Sequence, residues 1–275
     1  HDSYHPSGPH GLGVLINSRQ EGSKAAVIGN LFAHSWGRNP RSNAPEFVLV
    51  NNVVYNAKDA ETMLFNDHGL TSDNTVVGNV YIKGPNATNS VKSVRLIGDT
   101  GYGADLLLGT KVYLSDNRSM HATEDPWSIV DNRSGIARDL LQALSRLIWL
   151  SDGFDALPSS EVVDYVLANA GMRPGARNPV DARVVADVKN GTGRIINCVA
   201  ANGSDRCTKN AGGWPKIAEN RRALTIPDNP GVDDDGDGYT RAEEWLQAMA
   251  AEVEGRAVAE QPTVAAPPNP PLIHD

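Results

Sequence analysis

The chain has 275 residues, a formal net charge of −8 and only 6% aromatic residues, with 26 glycines and 17 prolines. An acidic body of this kind excludes a protein built as a whole to hold nucleic acid. No window approaches 18 consecutive apolar residues, which excludes a membrane-spanning helix, while 40% hydrophobic residues is ordinary for a packed, turn-rich fold.

In chain order, residues 1–13 read as a Gly/Pro/His loop, with His1, His5 and His10 four and five residues apart. The start at His1 reads as a processed chain or a fragment. A short strand over residues 30–34 runs into SWGRNPRSN, where Arg38 and Arg41 bracket Pro40. Paired guanidiniums suit carboxylates better than lysines do. The loop is therefore a candidate site for an acidic polymer, with a solvated surface loop as the plainer alternative. Four segments then repeat one theme: VIGNLFAH (27–34), VLVNNVVYN (48–56), TVVGNVYIK (75–83) and KVYLSDNRSMH (111–121). Each is a β-branched run, an asparagine and a second short run. The shared asparagines are Asn30, Asn52, Asn79 and Asn117. A strand recurring at intervals of this order signals stacked repeats, and short strands between Gly/Asn/Asp turns fit a parallel β-helix. Asparagine tolerates the left-handed backbone of a tight corner, and its amide can bond the asparagine one rung away.

From about residue 134 the pattern changes to helical spacing. Helices are expected over 135–149, over 159–171 with serine caps and a stop at Gly171, and over 178–191 with Asn178 as cap, Pro179 in the first turn and Gly191 as stop. They would cover the solenoid's side or end. Cys198 and Cys207 flank a Gly/Asn/Ser-rich loop; in an oxidising compartment they would close it, a disulfide worth roughly 2–3 kcal/mol, and otherwise they are two thiols. VDDDGDGYTRAEEW matches D-x-D-x-D-G-x5-E. Asp233, Asp235, Asp237, the Tyr239 carbonyl and Glu244 would converge on one Ca2+, with a water serving at the ninth position, Arg241. With PDNPG rather than a helix before it, this is a lone calcium turn with a structural role. The Pro-rich end reads as a disordered tail. The expected organisation is therefore rungs with a site loop over 1–133, packed helices and loops over 134–228, a calcium loop and helix over 229–250, and a tail over 251–275.

HPSGPHGLGVLI, GNLFAHSWGRNPRSN and VLVNNVVYN, in this order, resemble the second half of a pectate-lyase-type catalytic domain. VDARVVADVKNGTGRIIN, GGWP and the DxDGDG tail resemble the end of secreted bacterial members. The resemblance runs from residue 1 to about residue 245. It implies an all-β-dominated fold, a right-handed parallel β-helix (here a partial solenoid) with packed C-terminal helices and a calcium-loop tail. It also implies a secreted, monomeric polysaccharide lyase that cleaves polygalacturonate by calcium-assisted β-elimination. The family's catalytic arginine falls on Arg38 of Arg38-Asn39-Pro40. Arg41, Trp36, His34, His5 and His10 are the candidate substrate contacts. A guanidinium is almost never neutral, so a base role needs burial, nearby cations or alkaline conditions; otherwise Arg38 stabilises the developing enolate. Two positions depart from the pattern: Asn43 stands where a second basic residue is usual, and Leu12 where a lysine is usual. The catalytic calcium ligands are expected upstream of residue 1. The rivals are an inactive glycan-holding β-helix and a pectin esterase or polygalacturonase. The last two need paired carboxylates, and Glu46, Asp59, Glu61, Asp67 and Asp73 show no obvious pair in the sequence.

Overall fold

A computed structural model of the chain describes residues 11–18, 20–66, 69–98, 105–148, 154–172, 177–196, 217–218 and 225–254. The chain divides into two compact units, residues 1–216 and 217–275.

Among the described residues, the first unit is built on twelve short strands. They are β1 (Leu15–Ile16), β2 (Lys24–Ile28), β3 (Leu31–Ala33), β4 (Arg41–Ser42), β5 (Glu46–Val50), β6 (Val53–Tyr55), β7 (Thr62–Leu64), β8 (Asp73–Val77), β9 (Val80–Ile82), β10 (Val94–Leu96), β11 (Lys111–Ser115) and β12 (Val130–Asn132). They fall into three sheets: β1-β4-β7-β10-β12, β11-β8-β5-β2 and β3-β6-β9. Every pair of neighbours is parallel. Successive strands visit the second, third and first sheets in turn from β2 to β10; after β11 the third sheet is met only by a single bridge, Arg118 beside Val80, before β12 returns to the first. This is the β-helix-like stacking that the repeated segments predict.

Period-two alternation decides what faces inward. Phe47, Leu49, Val76, Val112 and Leu114 from the second sheet meet Leu64, Val94 and Leu96 from the first and Val54 and Tyr81 from the third in one buried cluster. The four predicted asparagines stack at the corner between the second and third sheets. Asn52 Oδ1 accepts from Asn30 N (2.9 Å) and Nδ2 (3.1 Å), and Asn79 Oδ1 accepts from Asn52 N (3.0 Å) and Nδ2 (2.9 Å). Asn117 Oδ1 accepts from Asn79 N and Nδ2, both at 3.0 Å. The left-handed residue is not the ladder asparagine, as the sequence reading supposed, but the one before it: Gly29, Asn51, Gly78 and Asp116, with φ between 49° and 68°. The turn is made one residue early, which leaves each ladder amide aimed along the stack.

The predicted helix over 135–149 is a single turn, α1 (Arg138–Leu141). Tertiary contacts override its helical spacing. Leu141 is fully buried in the core, Arg138 holds Asp125 through two bonds of 2.7 Å, and Gln142 then bridges Val112 as an added strand-like residue. Two longer helices follow, α2 (Ser159–Asn169) and α3 (Pro179–Asn190). Asn178 caps α3 as expected, its Oδ1 accepting from Val180 N and Asp181 N, and Gly191 ends it in the left-handed region. The serines do not cap α2. Asp116 does, accepting from Ser159 N and Oγ at 2.7 Å each. Val162, Val166 and Leu167 of α2 and Val185 and Val188 of α3 bury against Val53, Tyr55 and Val80 of the third sheet. Each such side chain contributes about 1.5–3 kcal/mol of burial. In the second unit, α4 (Arg241–Glu254) follows the acidic loop directly. No helix among the described residues is long and apolar enough to cross a membrane.

Candidate functional site

The segment from Trp36 to Arg38 lies between two rungs. Trp36 N donates to Gly11 O (2.7 Å), Gly13 N to Gly37 O (3.0 Å) and Val14 N to Arg38 O (2.7 Å) on one side. Asp59 N donates to Trp36 O (2.7 Å) and Asn39 N to Glu61 O (2.6 Å) on the other. Gly13 is required here, because a Cβ on it would sit 2.5 Å from Arg38 O. Arg38 itself adopts φ 60°, which turns its side chain out of the strand path. Its guanidinium is half-buried and makes no ion pair or hydrogen bond among the described residues. Desolvation holds it below the ordinary arginine value.

Arg41 lies three residues on, in β4, and its N donates to Val14 O (2.9 Å), so Arg38 and Arg41 flank Val14. The Arg41 guanidinium lies 4.1 Å from the Phe65 ring centroid. Trp36 carries Lys58 Nζ over its ring at 4.4 Å, so an ammonium already covers one ring face. Leu12 sits on the adjoining rung, beside Gly37. Asn43 is a stacking amide and not a cation: it donates to Asn17 Oδ1 (2.7 Å) and accepts from Ser18 N.

Below this turn lies an ion-pair row that the sequence reading missed. Asp59 holds Arg95 (2.9 Å), Asp131 also holds Arg95 (3.1 Å), and Arg133 meets the same Asp131 (2.8 Å). Glu61, 1% exposed, pairs with Lys83 at 2.6 Å. Burial pushes the Glu61 carboxyl up, and Lys83 opposes that shift. Register was the missing information: Arg41, Met63, Arg95 and Asp131 are cross-strand neighbours although up to ninety residues separate them. Register also creates a carboxylate pair that the sequence hid. Glu46 stands directly beside Asp73, flanked by Lys24 and Lys111. Burial, and then the Glu46 charge, raises the Asp73 pKa.

His34 is closed in beneath α3. Its Nε2 meets Asp187 Oδ2 (3.2 Å), its Nδ1 meets Asn56 Nδ2 (2.9 Å), and Tyr55 packs edge-on at 5.3 Å. Tyr55 Oη donates to Thr192 O (2.6 Å), which ties down the chain after α3. With both ring nitrogens engaged, His34 is a clamp residue in this geometry. Burial holds it below its ordinary value, Asp187 opposing and Arg183 adding to the shift. Above about pH 6.5 both folded and unfolded His34 are neutral. As pH falls below that, the unfolded chain takes the proton first, and stability drops by up to about 1.4 kcal/mol per pH unit until the folded group titrates. Urea unfolding at pH 7.5 and pH 5.5 should show this loss in the native chain and a smaller one in His34→Gln; equal losses would remove His34 as its source.

In the second unit, ligand atoms of Asp233, Asp235 and Asp237 lie within 4.8 Å of one another. Gly236 and Gly238, both left-handed, fold the loop so that their N–H groups donate to Asp233 (2.7 and 3.1 Å). Arg241 points away from the cluster, to Asp234 and to Asp228 O. Partial desolvation, and then the charges of Asp235, Asp237, Asp234 and Asp233, raise the Glu244 pKa. Oxygen-only donors at this spacing fit a hard divalent cation. His5, His10, Cys198 and Cys207 lie outside the described residues.

Neither a family model nor a curated protein matches this chain. The functional reading therefore rests on the geometry and on the motifs.

Proposed function

We propose that the chain is a secreted, right-handed parallel β-helix of the pectate-lyase type, with a calcium-loop tail, that eliminates across the C4–C5 bond of an acidic polysaccharide. The observation that carries this reading is the Arg38 guanidinium. It is partly desolvated, lacks an ion-pair partner among the described residues, and is set by left-handed backbone on a turn bonded to a rung on each side. A guanidinium so placed can hold a uronate carboxylate or, once neutral, take the C5 proton. The C5–H electron pair then forms the C4–C5 double bond, and the C4–O bond breaks. The leaving oxygen keeps its electron pair and takes a proton from water. Calcium bound to the uronate carboxylates would neutralise their charge and so make the C5 proton more acidic. Trp36, on the same turn, and Arg41, at the start of β4, serve as further substrate contacts.

Polygalacturonate with calcium tests the reading through its products. Elimination gives an ultraviolet-absorbing unsaturated uronide for each new reducing end. Reducing ends without that absorbance would favour the second reading, hydrolysis, for which the in-register Glu46–Asp73 pair is the specific observation. Binding without either product would mark a glycan-holding module.

Asp233, Asp235, Asp237, the Tyr239 carbonyl and Glu244 would hold a calcium ion that fixes the loop to the start of α4. Calorimetric titration should show one site, weakened at least about tenfold in Asp235→Ala, since each lost charged ligand costs more than about 1.4 kcal/mol. No binding by the native chain would remove the ion from the account.

A further inference from the structure

A chain of amides fixes the tautomer of His34, and the same chain reaches the strap that leaves α3, residues 192–196. Asn86 N is a backbone donor and bonds Asn56 Oδ1 at 2.7 Å. That sets the orientation of the Asn56 amide. Its Nδ2 is therefore the atom facing His34 Nδ1 (2.9 Å) and Asn86 Oδ1 (3.2 Å). His34 Nδ1 must accept, so the ring proton sits on Nε2, toward Asp187 Oδ2 (3.2 Å). Asn86 Oδ1 in turn accepts from Ile195 N (2.8 Å). The near end of the strap is held by the same group of residues. Thr192 Oγ1 donates to Asp187 Oδ1 (3.0 Å), and Thr192 O accepts from Tyr55 Oη (2.6 Å). Gly193 lies against the imidazole: a Cβ added to it would sit 2.5 Å from His34 Cε1.

A second proton has no place in this arrangement. On Nδ1 it would point at the Asn56 NH2 group, donor against donor. Turning the Asn56 amide would bring its NH2 to Asn86 N and its oxygen to Asn86 Oδ1, so both bonds to Asn86 would be lost. Asn56 is fully buried, where polar groups left unpaired are costly. The remaining route is for Asn86 to move off and give up Ile195. Of the charged and titratable groups around the ring, Asp187 favours the imidazolium. Arg183 shares Asp187 Oδ2 (2.9 Å) and weakens that pull. Burial, and then Asp187, hold the Tyr55 phenol above its ordinary value, so it stays neutral in acid. Arg194, on the strap itself, is exposed. We propose that His34 is an acid-operated latch: a proton on Nδ1 breaks the Asn56–Asn86 relay and frees residues 192–196 while the rungs stay folded. The latch does not depend on the lyase chemistry. Burial, the main cause of the low His34 value, sets its sign. Opening lets the ring protonate at its ordinary value near ~6.5, so the open form gains up to about tenfold per pH unit below that, until the closed form also titrates.

The test is amide hydrogen exchange, read residue by residue by NMR between pH 7.5 and pH 5.5 and corrected for the intrinsic rate. Protection of Ile195 N should fall several-fold with acid, while that of Leu49 N, in the middle of the second sheet, holds. In His34→Gln, which cannot titrate, Ile195 should show no such fall. Arg183→Ala is a second variant at a half-exposed side chain. It leaves Asp187 to His34 alone, raises the His34 value in the closed form and should shrink the fall. Unchanged Ile195 protection in the native chain overturns the latch, as does an equal fall in native and His34→Gln chains. An equal fall at Ile195 and Leu49 also overturns it, since the whole unit would then be opening. Should His34→Gln fail to fold, a fall that is undiminished in Arg183→Ala does the same.

Discussion

Asn79→Ala should destabilise the first unit by about 3–5 kcal/mol, since each buried polar group left unpaired costs about 1–3 kcal/mol. Asn79 is fully buried. Its Oδ1 satisfies both Asn52 N and Asn52 Nδ2, and its Nδ2 donates to Leu49 O (2.9 Å), Val77 O (3.2 Å) and Asn117 Oδ1 (3.0 Å). Alanine removes all five of these side-chain bonds at a fully buried position; Asn52 Nδ2 keeps Val27 O and Val50 O, and Asn117 Oδ1 keeps Asn79 N, but Asn52 N loses the partner that holds it. Asn30, by contrast, is exposed, and its amide donates only to Ile28 O and Asn52 Oδ1. Asn30→Ala should therefore cost about 1 kcal/mol or less. Urea unfolding of the two variants reads this gradient directly. Equal costs would mean that the ladder decorates the stack without holding it.

Arg38→Ala should lower the elimination rate by about 10²–10⁴-fold, the usual contribution of a positioned proton-transfer group, while uronate affinity falls far less. The pH profile separates the two roles open to this residue. If Arg38 acts as the base, only its neutral form works, and the rate rises about tenfold per pH unit until the guanidinium titrates. Burial moves that limb downward, because desolvation disfavours the charged form. Arg38→Lys should then move the limb to still lower pH, an ammonium having the lower ordinary pKa, near ~10.4. If Arg38 only stabilises the enolate, Arg38→Lys keeps a flat profile over that range. A native rate that survives Arg38→Ala removes the residue from the chemistry.

The stacking was legible because it rests on local chemistry repeated at intervals. VIGN, VLVNN, VVGN and YLSDN each carry a β-branched or apolar run and a corner, and the structure places their asparagines above one another. Which residue takes the left-handed corner was not legible, since Gly29, Asn51, Gly78 and Asp116 share no residue type. The helix over 135–149 failed for a different reason. Its leucine spacing is helical, but Leu141 is needed in the core and Gln142 on β11, and two anchors so close leave room for only one turn. The Arg38 turn could be read from Arg-x-Pro. Its setting could not, because Asp59, Glu61, Lys83, Arg95 and Asp131 come from different rungs, and only register makes them neighbours. His34 carried a similar ambiguity: nothing near it in sequence announces Asp187, which is 153 residues away.

The structure of the chain with a bound galacturonate oligomer is the most direct test of the whole account. The rungs should be undisturbed, with a uronate carboxylate or the C5 position within hydrogen-bonding reach of the Arg38 guanidinium. An oligomer seated on the second sheet beside Glu46 and Asp73, or lying anywhere that leaves Arg38 untouched, would contradict it.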